Sequence, residues 1–480
     1  MMRKPNYKNA LHPAIFKILR EVCTREGIEA YVIGGFVRDY FLKRNQSKKD
    51  IDIVCIGSGI DLAEKVAQAL THKPKVQVFK TYGTAMLRYK DTDIEFVGAR
   101  SESYSKDSRN PKVKSGSLQD DQNRRDFTIN ALALSLHSKD FGDLLDPFNG
   151  LEDLRKGIIK TPLNPEVTYS DDPLRMLRAI RFATQLNFQI EANSLKAIAS
   201  QANRLEIITK ERIVEELHKI LASDKPSKGF LLLEKTGLLQ QILPEITNLK
   251  GIDEVDGKSH KDNFYHTLEV VDNICPYTDN IWLRWAALLH DIGKAPTKRF
   301  HNKTGWTFHG HEYKGAKMVA KLFSRLKMPK NEKMKFVQKM VAMSSRPIVI
   351  ASDVTDSAVR RLVFDAGNDL DDLMKLCKAD ITTKNPKRFQ KYHNNFEIVA
   401  QKVIDVEKRD HIKNFQPPVS GKEIMKTFQI SPCKEIGIIK ETIKEAILEG
   451  VITNNYEPAF ALMLQKGKEL GLKTNTENHH

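Results

Sequence analysis

The sequence predicts an α+β fold, with a small mixed sheet confined to roughly the first 150 of 480 residues and helices thereafter. Two observations carry this. Short apolar or alternating runs separated by turns fill the N-terminal region, and from about residue 160 strand signals nearly vanish while helical periodicity takes over. Thr161-Pro162-Leu163-Asn164-Pro165 punctuates the change. Candidate strands are Ala30–Ile33, Asp50–Ile56, Val76–Phe79, Thr84–Tyr89 and Asp93–Val97, with helical spacing over Phe36–Lys43 and Asp61–Leu70. Further breaks at Leu243-Pro244 and Asn385-Pro386 divide the chain into regions 1–160, 161–250, 251–385 and 386–480. The Lys- and Asn-rich end after Lys466 reads as loose.

Composition narrows the function classes. The formal net charge is +16, which suits a polyanionic partner, nucleic acid first. The five cysteines are scattered without a C-x-x-C and read as reduced thiols, so a disulfide scaffold is excluded. There is no signal-peptide core and no uninterrupted apolar run of about 18 residues, so a cytoplasmic location and no membrane partner are expected.

Chemistry begins at Gly34-Gly35-Phe36-Val37-Arg38-Asp39, where a glycine turn leads from a strand into a helix. Such a turn lets backbone N–H groups approach a phosphate. Asp50 and Asp52 follow on a strand and share one face because side chains alternate. Two carboxylates on a rigid strand beside a phosphate cradle suit Mg²⁺ and phosphoryl or nucleotidyl transfer. Glu95, on the alternating run Asp93–Val97, would be a third carboxylate if the two strands pair.

Arg124-Arg125-Asp126-Phe127-Thr128-Ile129-Asn130-Ala131 places two arginine forks, suited to triphosphate oxygens, beside an acid and an amide. Asn130 would contact a ribose hydroxyl or hold the turn. Asp171-Asp172-Pro173-Leu174-Arg175 opens an apolar-striped helix, with Asp172 and Arg175 three apart on one face. An acid and an arginine held together can pair with a base edge carrying an exocyclic amine, as cytosine and adenine do. Arg178 and Arg181 continue the helix as further nucleotide-binding candidates.

A second constellation lies in the middle of the chain. His266, the His290-Asp291 pair at the end of an apolar helix, and Asp380 are imidazole and carboxylate donors suited to a divalent metal. His309, His311 and Lys294 stand nearby in sequence.

The ordered motifs resemble the bacterial-type (class II) tRNA nucleotidyltransferase and poly(A) polymerase family, of the polymerase-β-like superfamily. They are the glycine turn with Val-Arg-Asp, the D-x-D, the Arg-Arg-Asp segment, Asp146-Pro147-Phe148-Asn149-Gly150-Leu151-Glu152-Asp153-Leu154, and Asp-Asp-Pro-Leu-Arg. The resemblance is strong over residues 14–245 and looser beyond. It implies a nucleotidyltransferase head over 1–160 and a helical neck that binds RNA and the nucleobase over 161–250. An HD domain over 251–385 and a tRNA-binding helical tail over 386–480 would follow. Asp50, Asp52 and Glu95 would be catalytic, with the two aspartates holding Mg²⁺. Gly34, Gly35, Arg38, Arg124, Arg125, Asp126, Asn130, Asp172, Arg175, Arg178 and Arg181 would bind the nucleotide, Asp172 and Arg175 as the protein template for CTP and ATP. Asp171 stands where the family usually has glutamate, and Glu211–Glu216 resembles a later neck motif that stabilises the helical turn behind the template. The segment 102–116 lies where the family has a flexible loop, and its Ser, Lys, Arg and Asn content fits a mobile element.

The middle region is similar to the HD phosphohydrolase superfamily, which implies His266, His290, Asp291 and Asp380 as ligands of a second divalent metal (Mn, Ni, Mg or Fe). His309 and His311 would be further ligands, and Lys294 would contact phosphate. Ser344-Ser345 stands where some HD proteins carry another histidine, which favours a single metal. The expected function is CCA addition to tRNA, with phosphohydrolase action on RNA ends or nucleotides. A poly(A) polymerase, a CC- or A-adding partial enzyme, and an HD phosphohydrolase with an RNA-binding head are the rivals. Ala131-Leu132-Ala133-Leu134 favours the tRNA enzyme over the polymerase.

Overall fold

A computed structural model describes residues 5–44, 50–105, 108–351, 354–383, 385–413 and 415–474. The chain forms two compact units, Met1–Pro244 and Glu245–His480.

The first unit is built on a seven-stranded mixed sheet ordered β3-β4-β5-β2-β1-β8-β9. The strands are β1 Ala30–Ile33, β2 Ile51–Cys55, β3 Gln77–Phe79, β4 Thr84–Tyr89, β5 Thr92–Gly98, β8 Ala133–Ser135 and β9 Leu144–Leu145, while β6 Arg100–Ser105 pairs only with β7 Ser108–Ser115. The β2–β5 pair is parallel, and its register sets Asp52 opposite Glu95; the antiparallel β1–β2 pair sets Ile33 opposite Asp52. Val32, Ile53 and Phe96 are fully buried. Helix α1 (Ala14–Glu26) ends at Gly27 in the left-handed region, and α2 (Gly35–Phe41) follows the glycine turn. Helix α3 (Gly59–Ala69) starts where the Ser58 hydroxyl accepts from Asp61 N–H.

The segment 102–116, expected to be a mobile element, lies in the β6–β7 hairpin up to Ser115, apart from residues 106–107, which lie outside the described residues. Polar composition hid it, because the two strands pair with each other and need no apolar face. Helix α4 (Leu118–Asn123) carries a Ser117–Asp120 capping box.

After α5 (Gly150–Lys156) the unit is helical apart from a short parallel pair, Ile158–Ile159 with Gln189–Ile190: α6 Pro165–Asp171, α7 Leu174–Gln185, α8 Ala192–Ser200, α9 Lys210–Leu221 and α10 Pro226–Lys235. Leu174, Leu177 and Ile180 are buried, as the stripe predicts.

The second unit is helical apart from two small hairpins, 254–259 and 299–307. Its core surrounds Ile281–Leu289, a helix buried at seven consecutive residues from Leu283 to Leu289. Lys434–Glu449 buries Ile439, Ile443 and Ile447. The helix Tyr456–Glu469 carries order past Lys466, and residues 475–480 lie outside the described residues. Among the described residues no helix is long and apolar enough to cross a membrane.

Candidate active sites

The first site sits where β1, β2 and β5 meet the glycine turn. Gly34 has φ +82°, and a Cβ there would lie 3.2 Å from both Asp52 Oδ2 and Arg125 Nη1. Only glycine takes this conformation without strain and leaves the space clear. Asp52 thus faces an arginine across the turn, and Asp50, exposed at the start of β2, and Glu95 stand close enough to repel its charge. Burial, partly offset by Arg125 and reinforced by Glu95, Asp50 and Asp121, pushes the Asp52 carboxyl up to about 6. A buried carboxylate that resists ionisation beside other carboxylates calls for positive charge, and the all-oxygen donors suit a hard divalent cation.

The arginines are held rather than free. Arg38 donates to both oxygens of Asp39 at 2.9 and 3.1 Å and to Asn130 Oδ1 at 2.7 Å. Arg124 and Arg125 both bond the fully buried Asp121, Arg125 at 3.2 Å. Arg124 also reaches Glu102 at 3.2 Å. Neither Asp121 nor Glu102 was singled out in the sequence. The signal for Asp121 is its spacing of three and four from Arg124 and Arg125, which aligns them along a helix face. Asp146 accepts from Gly150 and Leu151 N–H at 2.7 and 2.9 Å, and Asp153 accepts from Thr128 at 2.7 Å. The Asp146–Leu154 motif therefore braces the Arg-Arg-Asp segment.

Asp126 ties that segment to α7. It accepts from Arg178 at 2.8 Å, from Asn130 at 2.9 Å and from Phe127 N–H at 2.8 Å. Asn130 is thus placed to hold the turn, the second of its two expected roles. Burial would raise the Asp126 carboxyl, but Arg178 and Asn130 outweigh it and hold it at about 2, below the ordinary 3.8. A depressed carboxylate contributes stability that is present above pH ~4 and drains as pH falls through 2. Asp126→Ala is expected to cost ~2–3 kcal/mol at pH 7 by leaving Arg178 unpaired. Urea midpoints should show that loss, narrowing toward pH 3; equal midpoints at pH 7 would contradict the tie.

Phe182 forms an apolar floor that the sequence did not mark. The guanidinium carbons of Arg38, Arg178 and Arg181 lie 5.0, 5.5 and 3.9 Å from its ring centre. Arg181 also bonds the buried Glu216 of α9 at 2.6 Å. Asp172 and Arg175, expected to act together, lie on one turn: Asp172 Oδ1 accepts from Leu174 N–H at 3.1 Å, and Arg212 stands 4.0 Å from Asp172 Oδ2. Arg175, nearly buried, donates to the Arg124 carbonyl at 2.6 Å and the Thr168 carbonyl at 3.5 Å.

The second site gathers three of the four expected ligands tightly. One donor atom each from His266, His290 and Asp380 lies within 4.8 Å of the others. His266 Nε2 is 2.9 Å from Asp380, and Asp291 Oδ2 is 3.5 and 3.4 Å from His266 and His290 Nε2. His290 Nδ1 lies 2.8 Å from the Ala287 carbonyl, which assigns a proton there; Nε2 is buried, makes no hydrogen bond within normal range, and faces Asp291 and Asp380 at 3.4 and 3.5 Å. An orphaned imidazole nitrogen among carboxylates fits a metal ligand. Burial pushes the His290 imidazole down, but Asp291 and Asp380 overcome it and lift it to about 10, so this cluster too calls for a cation.

His311 stands 3.7 Å from Asp291 at the edge of the cluster, while His309 is exposed on its loop. Lys294 donates to Asp291 at 2.6 Å, and Ser345 donates to Glu312 at 2.5 Å. Behind His266, Thr382 Oγ1 lies 2.9 Å from Nδ1 and takes a hydrogen bond from Lys261. Neither Thr382 nor Lys261 was legible from sequence.

The first unit thus has the architecture of a nucleotidyltransferase, and the second that of an HD metal-binding domain. Comparison with known proteins agrees. Residues 30–160 match the poly A polymerase head domain, 187–250 the probable RNA and SrmB-binding site of polymerase A, and 263–412 the HD domain. An A-adding tRNA nucleotidyltransferase of Deinococcus radiodurans is 32% identical over 339 residues, 68% of this chain and 75% of that protein. A multifunctional CCA protein of Nitrosococcus oceani is 32% identical over 312 residues, 63% of this chain and 71% of that protein. The Thermotoga maritima CCA-adding enzyme complexed with tRNA has the same fold, with TM-score 0.62 and 23% identity over 98% of this chain and 100% of that one. The chain belongs to the tRNA nucleotidyltransferase and poly(A) polymerase family, with an HD domain. Its head and HD domains imply the use of divalent metal ions.

Proposed function

We propose that this protein adds CCA to the 3′ end of tRNA from CTP and ATP, without a nucleic-acid template. The observation that carries the reading is the pairing of Asp52 with Glu95 beside the Gly34 turn, with Arg125 across it. In each step the 3′-hydroxyl oxygen bonds the α-phosphorus, the α–β anhydride bond breaks, and pyrophosphate leaves. Mg²⁺ held by Asp50 and Asp52 would supply activation of the hydroxyl and neutralise the triphosphate. Asp52 and Glu95 set the position of that charge; Arg38, Arg124 and Arg125 bind phosphate. The relatives' names, with their CCA and tRNA activities, support this reading.

Base choice falls to Asp172 and Arg175. The acid accepts from the exocyclic amine of C or A, and the arginine donates to ring acceptors. Arg175 uses two N–H groups on carbonyls and keeps others for the base. Arg175→Ala is expected to bring GTP and UTP incorporation within ~10-fold of CTP and ATP, since a bidentate contact is worth ~1–3 kcal/mol of discrimination. Misincorporation assays with the four triphosphates test it; unchanged selectivity contradicts the template role.

A second reading is favoured by one observation. The Deinococcus relative, three-quarters of whose length is matched, is named A-adding. The same site would then complete only ends that already carry CC.

The HD cluster is read as a phosphohydrolase acting on RNA ends or nucleotides. A water oxygen bonds phosphorus, the P–O ester bond breaks, and the alcohol leaves with a proton. A single Mn, Ni, Mg or Fe ion held by His266, His290, Asp291 and Asp380 would supply the Lewis acid.

A further inference from the structure

A cavity of about 630 Å³ opens onto the HD cluster, with His266 and Asp380 in its wall. That is the size of a small-ligand site, about 300–1,000 Å³. Its lining is chemically specific. Lys261, Lys294 and Arg388 bring positive charge, and Phe308 and Tyr392 bring aromatic rings. Arg388 and Tyr392 both come from the long helix Pro386–Asp410, outside the region that the sequence assigned to the HD domain. They stand four apart, and so share one face of that helix.

The two sides of the cavity differ in how committed their charges are. Lys294 is bonded to Asp291 and Lys261 to Thr382. Arg388 has no carboxylate partner among the described residues, and the Tyr392 ring is 41% exposed. Phe308, in the cavity lining, meets the His260 ring edge to face with centres 5.8 Å apart, and His260 in turn meets Trp306 at 5.4 Å. Trp306 in turn donates to the Lys258 carbonyl at 3.1 Å. Phe308 is thereby held by an aromatic cluster. A free arginine fork and two rings around a cation-seeking cluster form a site for a phosphate that carries a planar group.

From this juxtaposition we infer that the helix Pro386–Asp410 completes the HD site, with Arg388 binding the phosphate of a nucleotide and Tyr392 and Phe308 stacking its base. The inference rests on the phosphohydrolase reading and deepens it. The site accepts a mononucleotide or the last nucleotide of an unpaired RNA end. Stacking makes it tolerant of base identity, because every base has a π-face. Arg388 and Tyr392 are specificity-determining residues and do not hold the metal.

The test is calorimetric titration of the full chain with 3′-AMP, 3′-CMP and inorganic phosphate, with and without Mn²⁺. Every arm carries Asp172→Ala to disable the base-recognition pair of the neck. The two nucleotides are expected to bind within a few-fold of each other and at least ~10-fold more tightly than phosphate, in keeping with the usual worth of one stacked base. Tyr392→Ala should remove that advantage and leave phosphate binding unchanged, while Arg388→Met should weaken all three ligands by ~10-fold. Nucleotides that bind no better than phosphate, or an advantage that survives in Tyr392→Ala, overturn the inference. Hydrolysis of 3′-AMP is followed separately in the Mn²⁺-loaded chain. A nucleotide advantage that depends on Tyr392 but comes without hydrolysis would overturn the phosphohydrolase reading and leave the binding assignment standing.

Discussion

Asp52→Asn is expected to abolish nucleotide addition and, in the metal-free protein, to raise stability. The first effect follows from its proposed place as a metal ligand. Loss of one ligating carboxylate should cost ~4 kcal/mol of transition-state stabilisation or more, a thousandfold in rate. The second follows from its surroundings. Burial, with Glu95, Asp50 and Asp121, pushes the carboxyl to about 6 from 3.8, with Arg125 offsetting only part. A carboxylate whose folded pKa is raised costs stability once ionised. The cost is absent below pH ~4, grows as pH rises, and is complete above the folded value. The asparagine variant should therefore be more stable by ~1–3 kcal/mol at pH 7 and equal near pH 4. Mg²⁺ should then stabilise the parent and not the variant, because binding favours the folded state by mass action. Urea melts at the two pH values and single-turnover addition assays check both parts. Undiminished addition contradicts the metal assignment, and equal stability at pH 7 contradicts the buried-charge account.

Asp291→Ala is expected to strip the HD cluster of its metal and of phosphoester hydrolysis while nucleotide addition continues. Asp291 is nearly buried, lies 3.5 and 3.4 Å from His266 and His290, and is bonded by Lys294. Even outer-shell partners of a metal site cost 10–100-fold in affinity, so a first ligand should cost at least ~100-fold. Metal content after dialysis, hydrolysis of a phosphomonoester, and CTP and ATP incorporation are measured on one preparation. Retained metal contradicts the ligand set. Loss of both activities, with an unchanged melting profile, would mean that the two chemistries are coupled.

Much of this was legible because local rules and tertiary structure agree in the head. The spans Ala30–Ile33 and Thr84–Tyr89 coincide with β1, a short apolar run buried at every residue, and β4, which buries Ala85 and Leu87 on one face. Alternation also placed Asp52 and Glu95 each on a definite face. It could not give the β2–β5 register that sets them side by side, because register depends on a partner strand over forty residues away. The strands of the β6–β7 hairpin were not seen for a related reason: they pair with each other, and their polar composition carries no apolar alternation. Asn130 was recognised as functional or structural, and only its bonds to Arg38 and Asp126 favour the structural role.

Phe182 looked like one more apolar residue of an amphipathic helix. Its place under three guanidinium groups is a tertiary fact, as is the meeting of Lys261 with Thr382, 121 residues apart. The cluster of His266, His290, Asp291 and Asp380 was legible through the order of its residues, which resembles the HD superfamily; a His-Asp pair alone is more often a capped core histidine. The contribution of Arg388 and Tyr392 was missed, because a proline at the head of their helix read as a boundary and the long helix it opens belongs to the same unit.

The measurement that bears most directly on the central claim uses three tRNA transcripts, ending at the discriminator base, at C and at CC. Each is incubated with Mg²⁺ and with CTP, ATP or both, and products are resolved to one nucleotide. Completion of CCA on all three, followed by arrest, is the predicted result. Addition of A alone to the CC end would replace it with the A-adding reading. A long ladder of A residues, or no extension of any transcript, would contradict the account.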